Sequence, residues 1–289
     1  IGIQYSVGDR RLRLEPHAGA DPKMFKCRAE LDGDFWVLNG EKWFSSNARF
    51  ASFLIVMVVT DPDAPPYQKM SMFLVPSDTP GFRAGFFHEK GSQRLATNGT
   101  FHFENCRVPA DHLLGKAEVK KQDPAQAGDK GFKGAMATFD ASRPIVAAMA
   151  VGVGRAALDF VKEELGRQGV PIRYDAPPRE QTAIERDVIE MEAELQAARL
   201  LTWRAAKMLD RGQRNNLEAS MAKAKAGLAV TKITQKAVEL LGPLGYSKKL
   251  LVEKWMRDAK INDIYEGTQQ INQLIIARRI LDYSSSVLR

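Results

Sequence analysis

The chain has 289 residues, of which 44% are hydrophobic and 27% charged, enough for two domain cores and ordinary for a globular protein. Its net charge of +7 is dispersed: cations alternate with acids across 253–260 and the stretch 185–194 is net acidic, which argues against a nucleic-acid surface and would suit a substrate carrying several phosphates. The longest apolar run, 53–59, falls well short of the roughly 20 residues a membrane span needs, so no membrane insertion is expected.

Taken in chain order, the first half reads as strands. Residue 1 is Ile rather than Met and no signal-like stretch follows, so the chain is expected to begin inside a longer protein. Segments 25–30, 36–39, 53–60 and 70–76 are short, rich in β-branched and aromatic residues, and separated by turn signals. Asp32-Gly33-Asp34 and Asn39-Gly40 read as hairpin turns, each placing a glycine where positive φ is wanted. Alternation at 101–104, closing on Val108-Pro109, completes a compact β-barrel or sandwich over 1–115. The polar stretch 116–130, with Pro124 and Gly128, reads as a linker.

From Gly131 the period becomes helical. The spacing predicts helices over 132–167 (with Pro144 inside), 180–210, 217–241 (stopped by Gly242-Pro243) and 265–281. In the second, Ile184, Val188, Met191, Leu195 and Ala198 recur at three and four. The class is therefore α+β: a β-domain, then an up-and-down four-helix bundle over 131–289. Cys27 and Cys106 form no CxxC and the four histidines no paired pattern, so a reducing compartment is expected and a metal site is not.

The most informative run is Met256-Arg257-Asp258-Ala259-Lys260-Ile261-Asn262-Asp263-Ile264-Tyr265-Glu266-Gly267-Thr268-Gln269-Gln270-Ile271. A carboxylate directly before a glycine stands where a ligand can approach the backbone closely. The run resembles the C-terminal signature of the acyl-CoA dehydrogenases. The stretch Gly131-Phe132…Ala135-Met136…Phe139-Asp140-Ala141-Ser142-Arg143-Pro144 resembles the start of that family's C-terminal domain. In the β-half, Glu15-Pro16…Gly19-Ala20-Asp21 resembles a loop of the family's β-domain, Val37-Leu38-Asn39-Gly40-Glu41-Lys42-Trp43-Phe44-Ser45-Ser46-Asn47 resembles the segment whose aromatic and hydroxyl residues cover the flavin ring, and Cys106-Arg107-Val108-Pro109…Leu113-Leu114-Gly115 resembles the exit from that domain. The resemblance covers most of residues 9–283.

The resemblance implies FAD as cofactor and an acyl-CoA thioester as substrate. Glu266 would be the catalytic base that removes the α-proton, a task suited to a desolvated carboxylate. Phe44, Ser45, Ser46, Thr268 and Gln270 would contact the flavin. Ser142, Arg143, Tyr265 and Gly267 would serve the substrate, Arg143 also holding the loop that carries Glu266. Further implications are an electron-transfer flavoprotein as partner, assembly as a dimer of dimers, homo- or hetero-oligomeric, and a location in the bacterial cytoplasm or the mitochondrial matrix. The family's N-terminal helical domain has no counterpart in these residues.

Several family positions differ. Leu14 and Ala20 replace a threonine and a serine, Glu239 replaces a glutamine, and Pro243 replaces a glycine whose N–H is thereby lost. An Arg-x-x-Phe-Gly segment that grips the dinucleotide is replaced by residues 167–175. These changes leave a second reading open: a flavin-poor, non-catalytic or partner-dependent subunit of a hetero-oligomer.

Overall fold

The computed structural model describes residues 25–64, 68–115 and 124–283, side chains of 124–135 excepted. Leu14, Ala20 and the Glu15–Asp21 motif lie outside the described residues. The chain forms two compact units, 1–90 with 94–137, and 91–93 with 138–289.

The first unit is one six-stranded sheet in the order β4-β3-β1-β2-β6-β5. Its strands are β1 (Arg28–Asp32), β2 (Phe35–Ser46), β3 (Phe53–Val59), β4 (Met70–Pro76), β5 (Phe82–Phe87) and β6 (Asn98–Pro109). All neighbours run antiparallel except β1 and β3. Asp32 pairs with Phe35 across the predicted Gly33 turn, where Gly33 has φ 60°. Asn39-Gly40, expected as a second hairpin turn, instead lies inside β2 at a register shift between Leu38 and Gly40. A Cβ at Gly40 would stand 2.7 Å from Cys27 Cα, so the glycine is there for close strand approach at a bulge. Leu38, Val58, Phe73, Val75 and Val108 fill the core, with Trp36 meeting Phe73 edge-on at 5.3 Å.

The second unit is helical, with α1 (Pro124–Arg167), α2 (Ala183–Asp210), α3 (Asn216–Tyr246), α4 (Val252–Ala259) and α5 (Gln269–Ile280). α1 begins in the first unit and enters the second at residue 138. Of the expected linker 116–130, the part from Pro124 is already helical; proline is tolerated in a first turn, and alanine, glutamine and lysine continue it. α2 starts with a capping box, Thr182 accepting from Glu185 N and Glu185 accepting from Thr182 N. It buries Val188, Met191, Leu195 and Ala198, the stripe the spacing predicts. α3 kinks where the sequence places its stop: Gly242 has φ 54° and one more turn follows.

By length and composition Met136–Arg167 could cross a membrane. Its apolarity is used inside the unit, where Ala147, Ala150, Leu158, Val161 and Leu165 belong to the core. The predicted helix 265–281 begins only at Gln269, because Thr268 caps it and residues 266 and 267 both have positive φ.

Candidate functional site

Two groups of side chains stand out, one in each unit. In the helical unit the loop Tyr265–Thr268 joins a 3₁₀ turn, Lys260–Asp263, to α5. Glu266 has φ 58° and Gly267 φ 86°. A left-handed Glu costs roughly 1–3 kcal/mol and persists only where its surroundings over-determine it. Here three helices do so.

Three consecutive carbonyls of the loop each accept from a buried side chain. Arg143 Nε on α1 donates to Glu266 O at 3.2 Å, and Lys223 Nζ on α3 donates to Gly267 O at 2.6 Å. Asn272 Nδ2 on α5 donates to Gly267 O at 2.9 Å and Thr268 O at 3.0 Å. The Glu266 carboxylate receives the Ser142 hydroxyl at Oε2, 2.5 Å away. Arg143 is 3% exposed and also pairs with Asp140 at 3.1 Å. Its Nε and Nη1 are therefore committed to the loop and to Asp140, which makes it a holder of the loop that carries Glu266.

Electrostatics follow from burial. Lys223 is 1% exposed, and desolvation pushes its ammonium down to about 8, although Asp263 and Glu266 favour the charged form. Burial raises the Asp140 carboxyl, while Arg143, Arg214 and Arg279 oppose that rise. Tyr265 is likewise raised, first by burial, with the Glu266 charge adding and Gln93 opposing; its hydroxyl donates to Asn262 Oδ1 at 3.1 Å. Asn262 in turn donates to Ala259 O at 3.0 Å.

The rest of the long motif builds the platform. Arg257 pairs with Glu253 at 2.8 Å, Asp258 accepts Gln93 N at 2.7 Å, and Lys260 pairs with Asp263 at 3.1 Å. Thr268 spends its side-chain oxygen on Ile271 N, and Gln270 is exposed. Lys223 and Asn272 escape a reading by motif. The signal for Lys223 was available as a cation inside the Ala219–Ala229 core face of α3, where a charge needs a reason.

In the sheet unit, Phe44 has φ 59°, is 56% exposed, and stacks on His88 at 4.1 Å and 17°. Its N–H donates to His88 Nε2 at 3.3 Å. Burial and the Lys90 charge lower the His88 pKa, which favours the neutral ring needed to accept that bond. Asn98 Nδ2 donates to Ser46 Oγ at 3.1 Å and to Phe44 O at 3.3 Å, and Lys90 bonds Asn98 Oδ1. Phe44 and Ser46 thus form a braced, exposed ridge of one aromatic face and one hydroxyl. Ser45, also expected at the flavin, is 0% exposed between them.

The described departures lie in the helical unit. Glu239, the acid that replaces a glutamine, pairs with Lys236 at 2.7 Å, a cation it shares with Asp187 at 3.6 Å. The segment 167–175 anchors through Arg173, whose guanidinium pairs with Glu185 at 2.6 Å.

Residues 129–281 match the family model for the acyl-CoA dehydrogenase C-terminal domain, and residues 14–106 that for its middle domain. The short-chain specific acyl-CoA dehydrogenase of Bos taurus mitochondria is 38% identical over 268 residues, 92% of this chain and 61% of the relative. The butyryl-CoA dehydrogenase of Megasphaera elsdenii superposes with a TM-score of 0.79 at 32% identity, over 92% of this chain and 66% of its own. A glutaryl-CoA dehydrogenase solved with glutaryl-CoA gives 0.80 at 31% identity, over 95% and 66%. The chain spans about three fifths of the length of the curated relatives it matches.

Proposed function

The chain belongs to the acyl-CoA dehydrogenase family, and from that premise we propose that it carries the base and part of the flavin site of an enzyme that desaturates an acyl-CoA thioester between its α and β carbons. The observation that carries this reading is Glu266 in a left-handed loop clamped by Ser142, Arg143, Lys223 and Asn272.

The chemistry asked of Glu266 is removal of a weakly acidic C–H proton. The Ser142 hydroxyl fixes Oε2 and so orients the carboxylate, leaving Oε1 to accept the proton. The carbonyl clamp keeps the carboxylate from rotating away with its backbone, and such positioning is worth several powers of ten in rate. Tyr265, bonded to Asn262, and Gly267 flank the base in the chain and are the further residues assigned to the thioester.

The ridge of Phe44 and Ser46 fits a flat, hydrogen-bonding ring system; Thr268 and Gln270 are assigned to the flavin separately, by resemblance to the family. FAD, when bound, supplies the acceptor for the β-hydride. The same reading includes an electron-transfer flavoprotein as electron acceptor, a dimer-of-dimers assembly, and a mitochondrial-matrix or bacterial-cytoplasmic site of action.

The test is the visible spectrum of the full-length protein during anaerobic titration with acyl-CoA thioesters of several lengths. The wild type is expected to hold flavin that bleaches with one of them. Glu266→Gln should keep its flavin and lose bleaching by more than about 10²-fold in rate. Bleaching by Glu266→Gln within about tenfold of the wild type would refute the assignment.

A further inference from the structure

We propose that Lys223 is a positioning residue for the base: its ammonium, carried by α3 to the Gly267 carbonyl, holds the left-handed Glu266–Gly267 step, and removing that charge releases the step. The inference rests on Glu266 being the base, but its structural half stands on the loop alone.

Lys223 Nζ lies 2.6 Å from Gly267 O, and the side chain is 1% exposed. A lysine costs a great deal to bury as a cation. The buried face of α3 around it is built of small residues, among them Ala219, Ser220, Ala222, Ala226 and Gly227, and an apolar residue at 223 would cost less to bury, so the charge serves something other than packing. The charged groups facing it, among the described residues, are Asp263 from the 3₁₀ turn, Arg143 from α1 and Glu266 from the loop. Asn272 also donates to Gly267 O, but as a neutral amide. The charge-assisted bond is the stronger of the two. Lys223 differs from Arg143 in one further respect, since a guanidinium stays charged at any working pH whereas this ammonium is pushed down to about 8. The clamp therefore has one member that titrates.

The consequence has opposite signs in rate and stability. As pH rises through about 8, Lys223 loses its charge in the folded protein and the loop loosens. Between about 8 and the unfolded value of 10.5 the unfolded chain binds more protons at this residue, so its contribution to stability rises with pH. A fall in rate over that window is then a loss of geometry rather than unfolding.

The experiment uses the full-length protein and two readouts. Amide exchange of the 264–269 backbone is expected to accelerate about tenfold or more in Lys223→Met, while α2 exchanges as in the wild type. In thioester-driven flavin bleaching, Lys223→Met should lower kcat by about tenfold to a hundredfold with little change in KM. The wild-type kcat should decline as pH rises through about 8, and that limb should vanish in the variant. Unchanged loop exchange in Lys223→Met, or a wild-type kcat flat from neutral pH to beyond that limb, overturns the proposal. Should Lys223→Met not fold, the wild-type pH series of rate and loop exchange decides alone. Should the wild type bleach with no thioester, the dehydrogenase reading fails and Lys223 is judged by loop exchange only.

Discussion

Gly227 on α3 offers a test in which the sign of the effect is decided by one contact. Replacing an interior helical glycine by alanine ordinarily stabilises by about 0.5–1 kcal/mol, because glycine loses more backbone freedom on folding. At Gly227 the added Cβ would stand 2.7 Å from the Asn262 carbonyl oxygen and 3.2 Å from both Asn262 C and Asp263 Oδ1. The 3₁₀ turn must therefore retreat from α3 by several tenths of an ångström, an overpacking that costs about 1–3 kcal/mol. The overpacking exceeds the propensity gain, so Gly227→Ala should destabilise by about 1–2 kcal/mol. At about 2–4 °C per kcal/mol for a unit of this size, melting should drop by several degrees. Asn262 holds the Tyr265 hydroxyl, so the displacement reaches the residue beside Glu266, and turnover should fall further than stability alone explains. Gly166→Ala on α1 is the control, since nothing lies within 4 Å of its Cβ position and it should melt slightly higher. Scanning calorimetry of both variants checks the pair. A Gly227→Ala protein that melts at or above the wild type with an unchanged rate would refute the close approach of α3 to the turn.

Two further outcomes are expected. Glu185 is held well below the usual carboxylate range, first by the Arg173 guanidinium and then by the Thr182 N–H. Its stabilising contribution is present above the unfolded value of 4.5 and is lost as pH falls below it, so Glu185→Gln should lower melting near neutrality and flatten the acid limb of a stability–pH series. An unaltered acid limb would exclude Glu185 as its source. Phe44→Ala should leave flavin-free melting within about 0.5 kcal/mol, because the ring is 56% exposed. FAD affinity should fall nonetheless, as read by release of flavin fluorescence on dilution; equal affinity would remove Phe44 from the flavin site.

How much of this was legible in the sequence depends on what kind of signal each feature leaves. Hydrophobic periodicity survives folding well, so β3, β4 and the buried stripe of α2 stand where the spacing puts them. β5 was missed: Phe82–Phe87 has no fully buried residue, and an edge strand leaves little alternation to read. α4 was missed for a related reason, with only Val252 and Ala259 buried among its eight residues. Asn39-Gly40 misled because glycine serves a hairpin and a bulge equally well, and only the Cys27 backbone at 2.7 Å separates them. At the site, Glu266 was visible through the company it keeps in the chain. Its positive φ and the three side chains that donate to the loop carbonyls were not, since α1, α3 and α5 meet there from positions far apart in sequence.

The same geometry weighs on the choice between a catalytic chain and a flavin-poor subunit. Drift after loss of catalysis would relax first the features that cost stability and serve only chemistry. The left-handed Glu266 and the buried cation Lys223 are two such features, and both stand in full. Glu239, one of the departures from the family pattern, shares the Lys236 ammonium with Asp187. Pro243 follows a left-handed Gly242 at a helix kink, where a proline is readily accommodated. Of the substitutions that left a non-catalytic reading open, Pro243 thus has a local accommodation, whereas the strained Glu266 step is held in place by Ser142, Arg143, Lys223 and Asn272, a clamp that favours the catalytic reading.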